Sequence, residues 1–205
     1  MIDGFGLNND IAIHFEGPFT FSDGENCIFT SAHANSEGIY LWTFQQKRDG
    51  SHLIHYVGET QRFAYRHREH LALTLGLMYG IFDPDEAAEG RSVRVFDGLW
   101  RDRSPQGPVK VMAEYMSLKD MALRYVSSLS VFFAPTNIES KDRKNIEGWI
   151  GWNLRDKHPE ATVLYPSDNR VGRCSSKRVD SIFITCDATI LGLDDEISCL
   201  YMKSN

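Results

Sequence analysis

Gly38-Ile39-Tyr40-Leu41-Trp42-Thr43-Phe44 and, shortly after it, His52-Leu53-Ile54-His55-Tyr56-Val57 are the runs on which the fold turns. Both are rich in aromatic and β-branched residues, which suit a pleated, buried surface. Gln46-Lys47-Arg48-Asp49-Gly50 lies between them. Its Asp-Gly pair is a strong signal for a tight reversal. The two runs therefore read as an antiparallel hairpin.

Working outward, Thr60 is placed to cap a helix over 61–75. Phe63, His67, Leu71 and Leu75 recur at four-residue steps and form its inner face. Upstream, 11–21 alternates through Ile11, Ile13 and Phe15 and breaks at Gly17-Pro18, as in a short hairpin or bent edge strand. Residues 76–110 are rich in Gly, Pro and charge and read as an insertion with a short strand near 93–96. Ser117, with Asp120 three residues on, starts a second helix. A strand at 129–133 is closed by Pro135. Thr136 and Glu139 form a capping box for a third helix over 137–157. Ile146, Trp149, Ile150, Asn153 and Leu154 make its inner face, and Pro159 ends it. A brief strand at 163–165 and a closing hairpin of 181–185 with 189–193 complete the chain. This order predicts an α/β (α+β) fold, a small mixed or antiparallel sheet flanked by helices. It is read as one domain over 1–205, with a core at 37–172 and β extensions at 1–36 and 173–205.

The 205 residues are 42% hydrophobic, enough for a real core, and carry a net charge of -6. That balance argues against a protein that coats nucleic acid, since such affinity comes from many Lys and Arg on phosphates. It leaves room for a local basic groove. Basic residues do cluster: Arg62, Arg66, Arg68 and His70; Lys141, Arg143 and Lys144; Arg170, Arg173, Lys177 and Arg178. No run approaches the ~20 apolar residues that span a bilayer. The first thirty residues lack an export-signal pattern. The four cysteines show no CxxC pair, so reduced thiols and a cytoplasmic location are expected.

The chemistry-bearing residues follow the hairpin. Gly38-Ile39-Tyr40 and Tyr56-Val57-Gly58 are three-residue strings, each weak alone. Arg66 and His70 follow at helical spacing, so they point the same way. Glu147 lies within Asn145-Ile146-Glu147-Gly148-Trp149-Ile150 on the later helix. Together this set resembles the GIY-YIG nuclease family over 37–172. One departure is the fifteen residues between the two tyrosines, a few more than usual, which the turn absorbs.

The resemblance implies a DNA endonuclease, with RNA as an alternative substrate. Tyr40 would take a proton from the attacking water, and Tyr56 would orient that water. Arg66 would clamp the phosphate, using its planar, permanently charged fork. His70 would relay a proton or bind a phosphate oxygen. Glu147 would hold one Mg²⁺, which takes few protein carboxylates and keeps several waters; Mn²⁺ would substitute. Asn169, or less favourably Asn153, would supply the family's asparagine. Arg62, Arg170 and Arg173 are candidate substrate contacts, and Glu59 is a candidate support for the site. Free tyrosine has a pKa of ~10, so only about one in a thousand is ionised at pH 7, and the site must help Tyr40. Each residue also has an ordinary reading. Strand tyrosines pack in cores, the arginines could form a solvated helix face, and Glu147 could pair with Arg143 one turn earlier. The alternative function is an interaction module on this scaffold with little cleavage. Cutting both strands would call for two copies of the chain, but nothing in the sequence marks an interface.

Overall fold

The computed structural model describes residues 10–22, 24–166 and 179–199. Its elements in chain order are β1 (Ile11–Phe19), β2 (Gly38–Gln45), β3 (His52–Thr60), α1 (Phe63–Leu75), β4 (Ile81–Phe82), α2 (Pro84–Ala88) and β5 (Arg94–Phe96). There follow α3 (Gln106–Ser127), β6 (Leu129–Pro135), α4 (Ser140–Lys157), a 3₁₀ turn (Pro159–Thr162), β7 (Ser181–Cys186), β8 (Ile190–Leu191) and β9 (Glu196–Ser198). Seven strands form one curled, mostly antiparallel sheet in the order β8-β3-β2-β6-β1-β7-β9. Helices flank it, and β4 pairs with β5 in a separate two-stranded ribbon.

The hairpin forms as its residues dictate. Its register sets Tyr40 opposite Gly58 and Trp42 opposite Tyr56, then shifts so that Thr43 meets Ile54. His55 is thus the extra residue of a β-bulge, a device that re-aims neighbouring side chains. Seven of the eight β2 residues are buried. The strand is covered on both faces, and the usual alternation of polar and apolar residues is absent. On one face Phe63 of α1 stacks on Phe133 of β6, with centroids 4.1 Å apart. Beside them Tyr125 of α3 meets Phe44 and His55. On the other side α4 packs across β3 and β2.

Several sequence expectations need correction. The helix expected from Ser117 begins at Gln106, because Pro105 and Pro108 fall at its first turn, where a missing N–H costs nothing. Residues 11–19 form an interior strand, β1, antiparallel to β6 and parallel to β7. The sheet is consequently larger than expected. The closing hairpin does not form. β7 lies on β1, whereas β8 pairs with β3 at the far edge. Only residues 187–189 link them, so the curl brings the two edges of the sheet close together. The segment 163–165 is a turn, with its N–H groups bonded locally and the Leu164 carbonyl accepting from His55 Nδ1 at 2.7 Å.

Helix starts also differ. α1 begins at Phe63, and Thr60 Oγ1 accepts from the Arg62 N–H just before it. Its buried face is Phe63, His67, His70 and Thr74, with Leu71 and Leu75 only half-buried. α4 starts at Ser140 without a side-chain cap, so the expected Thr136–Glu139 box is absent.

Candidate active site

Two glycines explain why the motifs have their spelling. A Cβ on Gly58 would lie within 3.0 Å of the Tyr40 ring and hydroxyl and of the Tyr56 ring. A Cβ on Gly38 would meet the Ala134 carbonyl and the Phe133 ring as closely. Gly58 thus leaves the space over β3 in which the Tyr40 ring lies, and Gly38 allows β6 to approach β2. The two tyrosine rings stand 5.9 Å apart.

Tyr40 is fully buried. Its Oη is 2.9 Å from His70 Nε2, one turn beyond Arg66 on α1. Burial, then neighbouring Tyr56, pushes the Tyr40 hydroxyl well above its ordinary value, with Arg66 pulling the other way. Tyr56, half-buried, is raised by burial and by Glu147. Burial and then Arg66 lower His70 to about 3, so its imidazole is neutral at pH 7. His70 is itself buried, not at the surface of α1. Burial opposes the Arg66 charge, but the Tyr40 and Tyr56 oxygens outweigh it and keep the guanidinium protonated. Arg66 also pairs with Glu69 at 3.3 Å, at a half-exposed position where such a pair contributes little.

Glu147 arrives from α4. Burial and then the adjacent Glu59 carboxylate raise its carboxyl to about 7, with Arg66 and Lys144 opposing. Among the described residues it has no ion-pair partner, and the alternative pairing with Arg143 does not occur. Arg143 is instead fully buried, with Nη1 2.7 Å from Glu37 and Nε 3.3 Å from Glu59, and it also donates to the Ile138 carbonyl. This pins α4 to the start of β2 and the end of β3, and so sets where Glu147 stands. The local sequence offers Arg143 a partner four residues away; only the tertiary structure supplies two better ones.

Five of the candidate residues, Tyr40, Tyr56, Arg66, His70 and Glu147, are thus brought together. Arg62 is not. It is the helix cap with an extended backbone (φ -151°), so it falls off the row of Arg66 and lies over the exposed Tyr65 ring. Asn153 donates to Asp194 Oδ2 at 2.9 Å, in a cluster with His158 and Lys157 that ties α4 to the C-terminal segment. Asn169, Arg170 and Arg173 lie outside the described residues.

The site opens into a cleft of about 500 Å³ between the hairpin, α1 and the insertion. Tyr56, Arg66 and His70 form one wall, and Tyr79 and Trp100 another. Tyr79 is raised by burial, with the Arg66 charge pulling the other way. Nothing in the sequence near Tyr79 marks it, since a loop brings it in. Comparison of the chain with protein-family models, curated proteins and solved structures finds no match.

Among the described residues no group of three or more His, Cys, Asp or Glu could hold a metal. A hard cation that keeps most of its waters needs fewer protein ligands. Glu147, with Glu59 and two phenolic oxygens nearby, is an all-oxygen set whose like-charge repulsion a cation would relieve. No helix is long and apolar enough to cross a membrane among the described residues.

Proposed function

We propose that the chain is a GIY-YIG-type endonuclease that hydrolyses DNA phosphodiesters with one Mg²⁺, Mn²⁺ serving in its place. The observation that supports this is that Tyr56 and Arg66, with His70, line one cleft, while Tyr40 of β2 is buried against His70 behind it and Glu147 of α4 lies within electrostatic reach of Tyr40, Tyr56 and Arg66. Glu147 would hold the metal, which supplies Lewis-acid neutralisation of the leaving oxygen.

Arg66 has a face turned to the tyrosines, and among the described residues its ion-pair partner is the half-exposed Glu69. A phosphate non-bridging oxygen fits that face, and the guanidinium stabilises the charge that grows as water attacks. Tyr40 is neutral before substrate arrives, so it accepts the water proton only if its own proton moves on. His70 Nε2, 2.9 Å away, is the acceptor in line. Arg66 is also one of the charges holding His70 low. A phosphate that neutralises Arg66 removes that contribution, while burial, the larger cause, still disfavours the charged imidazole. Tyr56 orients the water from the other side.

The acidic net charge favours a second reading, an interaction module on the same scaffold. A cleavage assay on single- and double-stranded DNA and on RNA, with Mg²⁺, Mn²⁺ or EDTA, decides. Metal-dependent cutting that stops in Glu147→Gln is the expected result. Cutting in EDTA defeats the one-metal mechanism, and no cutting under any metal defeats the nuclease reading.

A further inference from the structure

The part of the cleft lined by Tyr79 and Trp100 does nothing in the reaction described above, yet it is built with care. Tyr79 and Trp100 stand edge to face, with centroids 5.2 Å apart, and Tyr79 also meets His70 at 5.7 Å. Their segments are held side by side by backbone bonds from Leu99 N–H to Leu77 O (3.0 Å) and from Trp100 N–H to Met78 O (3.1 Å). Gly98, at φ 83°, makes this possible, because a Cβ there would lie within 3.0 Å of the backbone of 78–80. Leu77 is the one described non-glycine residue with a positive φ, at 60°. That conformation closes the C-terminus of α1, where the Met78 N–H bonds the Leu73 carbonyl and the Leu77 N–H bonds the Thr74 carbonyl.

The chemistry of the wall is specific. Trp100 is 53% exposed and lines the cleft, so part of its indole is open to a ligand there. The floor is apolar and aromatic, from Phe82 and Tyr125. The rim carries Arg94 paired with Asp97 at 3.3 Å, which offers donors and an acceptor together. An aromatic surface with a few polar groups at its edge suits a flat heterocycle with hydrogen-bonding edges. The volume lies within the ~300–1,000 Å³ range of ligand pockets.

We propose that this cleft receives one unpaired base of the substrate strand, its face stacked on Trp100 and its edge toward Tyr79, next to the phosphate at Arg66. Every base has a π-face, so stacking of this kind tolerates any sequence. It does require the base to leave its partner, at a cost that is least for mismatched or single-stranded positions. The enzyme would therefore prefer unpaired or distorted sites to regular duplex. This inference rests on the nuclease reading of the neighbouring residues.

Two measurements keep the ideas apart. The first needs no cleavage: wild type, Trp100→Ala and Trp100→Phe are titrated in EDTA with 2-aminopurine oligonucleotides, single-stranded and fully paired. Wild type is expected to bind the single strand more tightly and to quench the probe. Trp100→Ala should lose most of the quench and about ten-fold in affinity, and Trp100→Phe should retain both. Equal affinity and equal quench in all three overturn the proposal. The second uses Mg²⁺ and duplexes with one mismatch stepped across the cut. A mismatch at one position should speed cleavage by wild type and not by Trp100→Ala. If wild type cuts but ignores both the mismatch and Trp100→Ala, the base pocket is wrong and the nuclease reading stands. If nothing is cut under any metal while single-strand binding still depends on Trp100, the pocket stands and the nuclease reading falls.

Discussion

Replacing Glu147 with Gln tests the electrostatics of the site without reference to activity. Burial and Glu59 lift this carboxyl from an ordinary 4.5 to about 7. Between those values the folded protein holds a proton that the unfolded chain has released. The native state binds more protons there, so stability falls as pH rises through the window and levels off above 7. The difference of two and a half decades, at ~1.36 kcal/mol each, sets a ceiling of about 3 kcal/mol. Solvent reaches this half-buried position and Glu59 shares the effect, so about 1–2 kcal/mol is the expected cost at pH 8. Gln keeps the shape and removes the charge. Urea unfolding of both proteins in EDTA, at steps from pH 4.5 to 8, measures the difference, with an unchanged m-value as the control. The two should agree at pH 4.5, and the variant should be more stable by that amount at pH 8. Millimolar Mg²⁺ at pH 8 should stabilise the wild type and leave the variant unmoved. A difference that does not change with pH, or a variant that is less stable at pH 8, refutes the reasoning.

Three further outcomes follow from the same geometry. Tyr40→Phe removes one hydroxyl and its bond to His70, so cleavage should fall by about 10²- to 10⁴-fold in single-turnover assays. Its stability should change by about 1 kcal/mol; near-normal cutting would move the proton acceptor elsewhere. Arg66→Lys keeps the charge and loses the fork. Rates should drop far more than DNA affinity, and equal losses in a gel-shift and a cleavage assay would make Arg66 a binding residue only. Gly58→Ala places a methyl against both catalytic tyrosines. Denaturant melts should show a loss of about 1–3 kcal/mol from overpacking, with cleavage falling by at least an order of magnitude; an unperturbed variant would mean that the tyrosine rings do not meet over Gly58.

The hairpin, the helix after it and the spacing of Arg66 and His70 were legible because they depend on local periodicity and turn chemistry. Local patterning also located Glu147 on a helix ending at Lys157. Where it misled, a long-range contact outweighed a local one. The capping pair Thr136–Glu139 lost to a later start at Ser140. Arg143 left the neighbour at i+4 for Glu37 and Glu59, since a buried guanidinium needs more than one charged partner. β1 and β7 paired in parallel, although they are 171 residues apart at His14 and Thr185.

By itself, then, the sequence determined which side chains could do chemistry and the short elements that carry them, because aromatic content, glycine placement and helical spacing act within a few residues. The tertiary structure alone decided which of those side chains come together. It excluded Arg62 through a backbone angle at the helix cap, neutralised His70 by burial, raised Glu147 by packing α4 against Glu59, and supplied Tyr79 and Trp100 from an insertion. These are effects of desolvation and of contacts across the fold, and they depend on distances that no local pattern encodes.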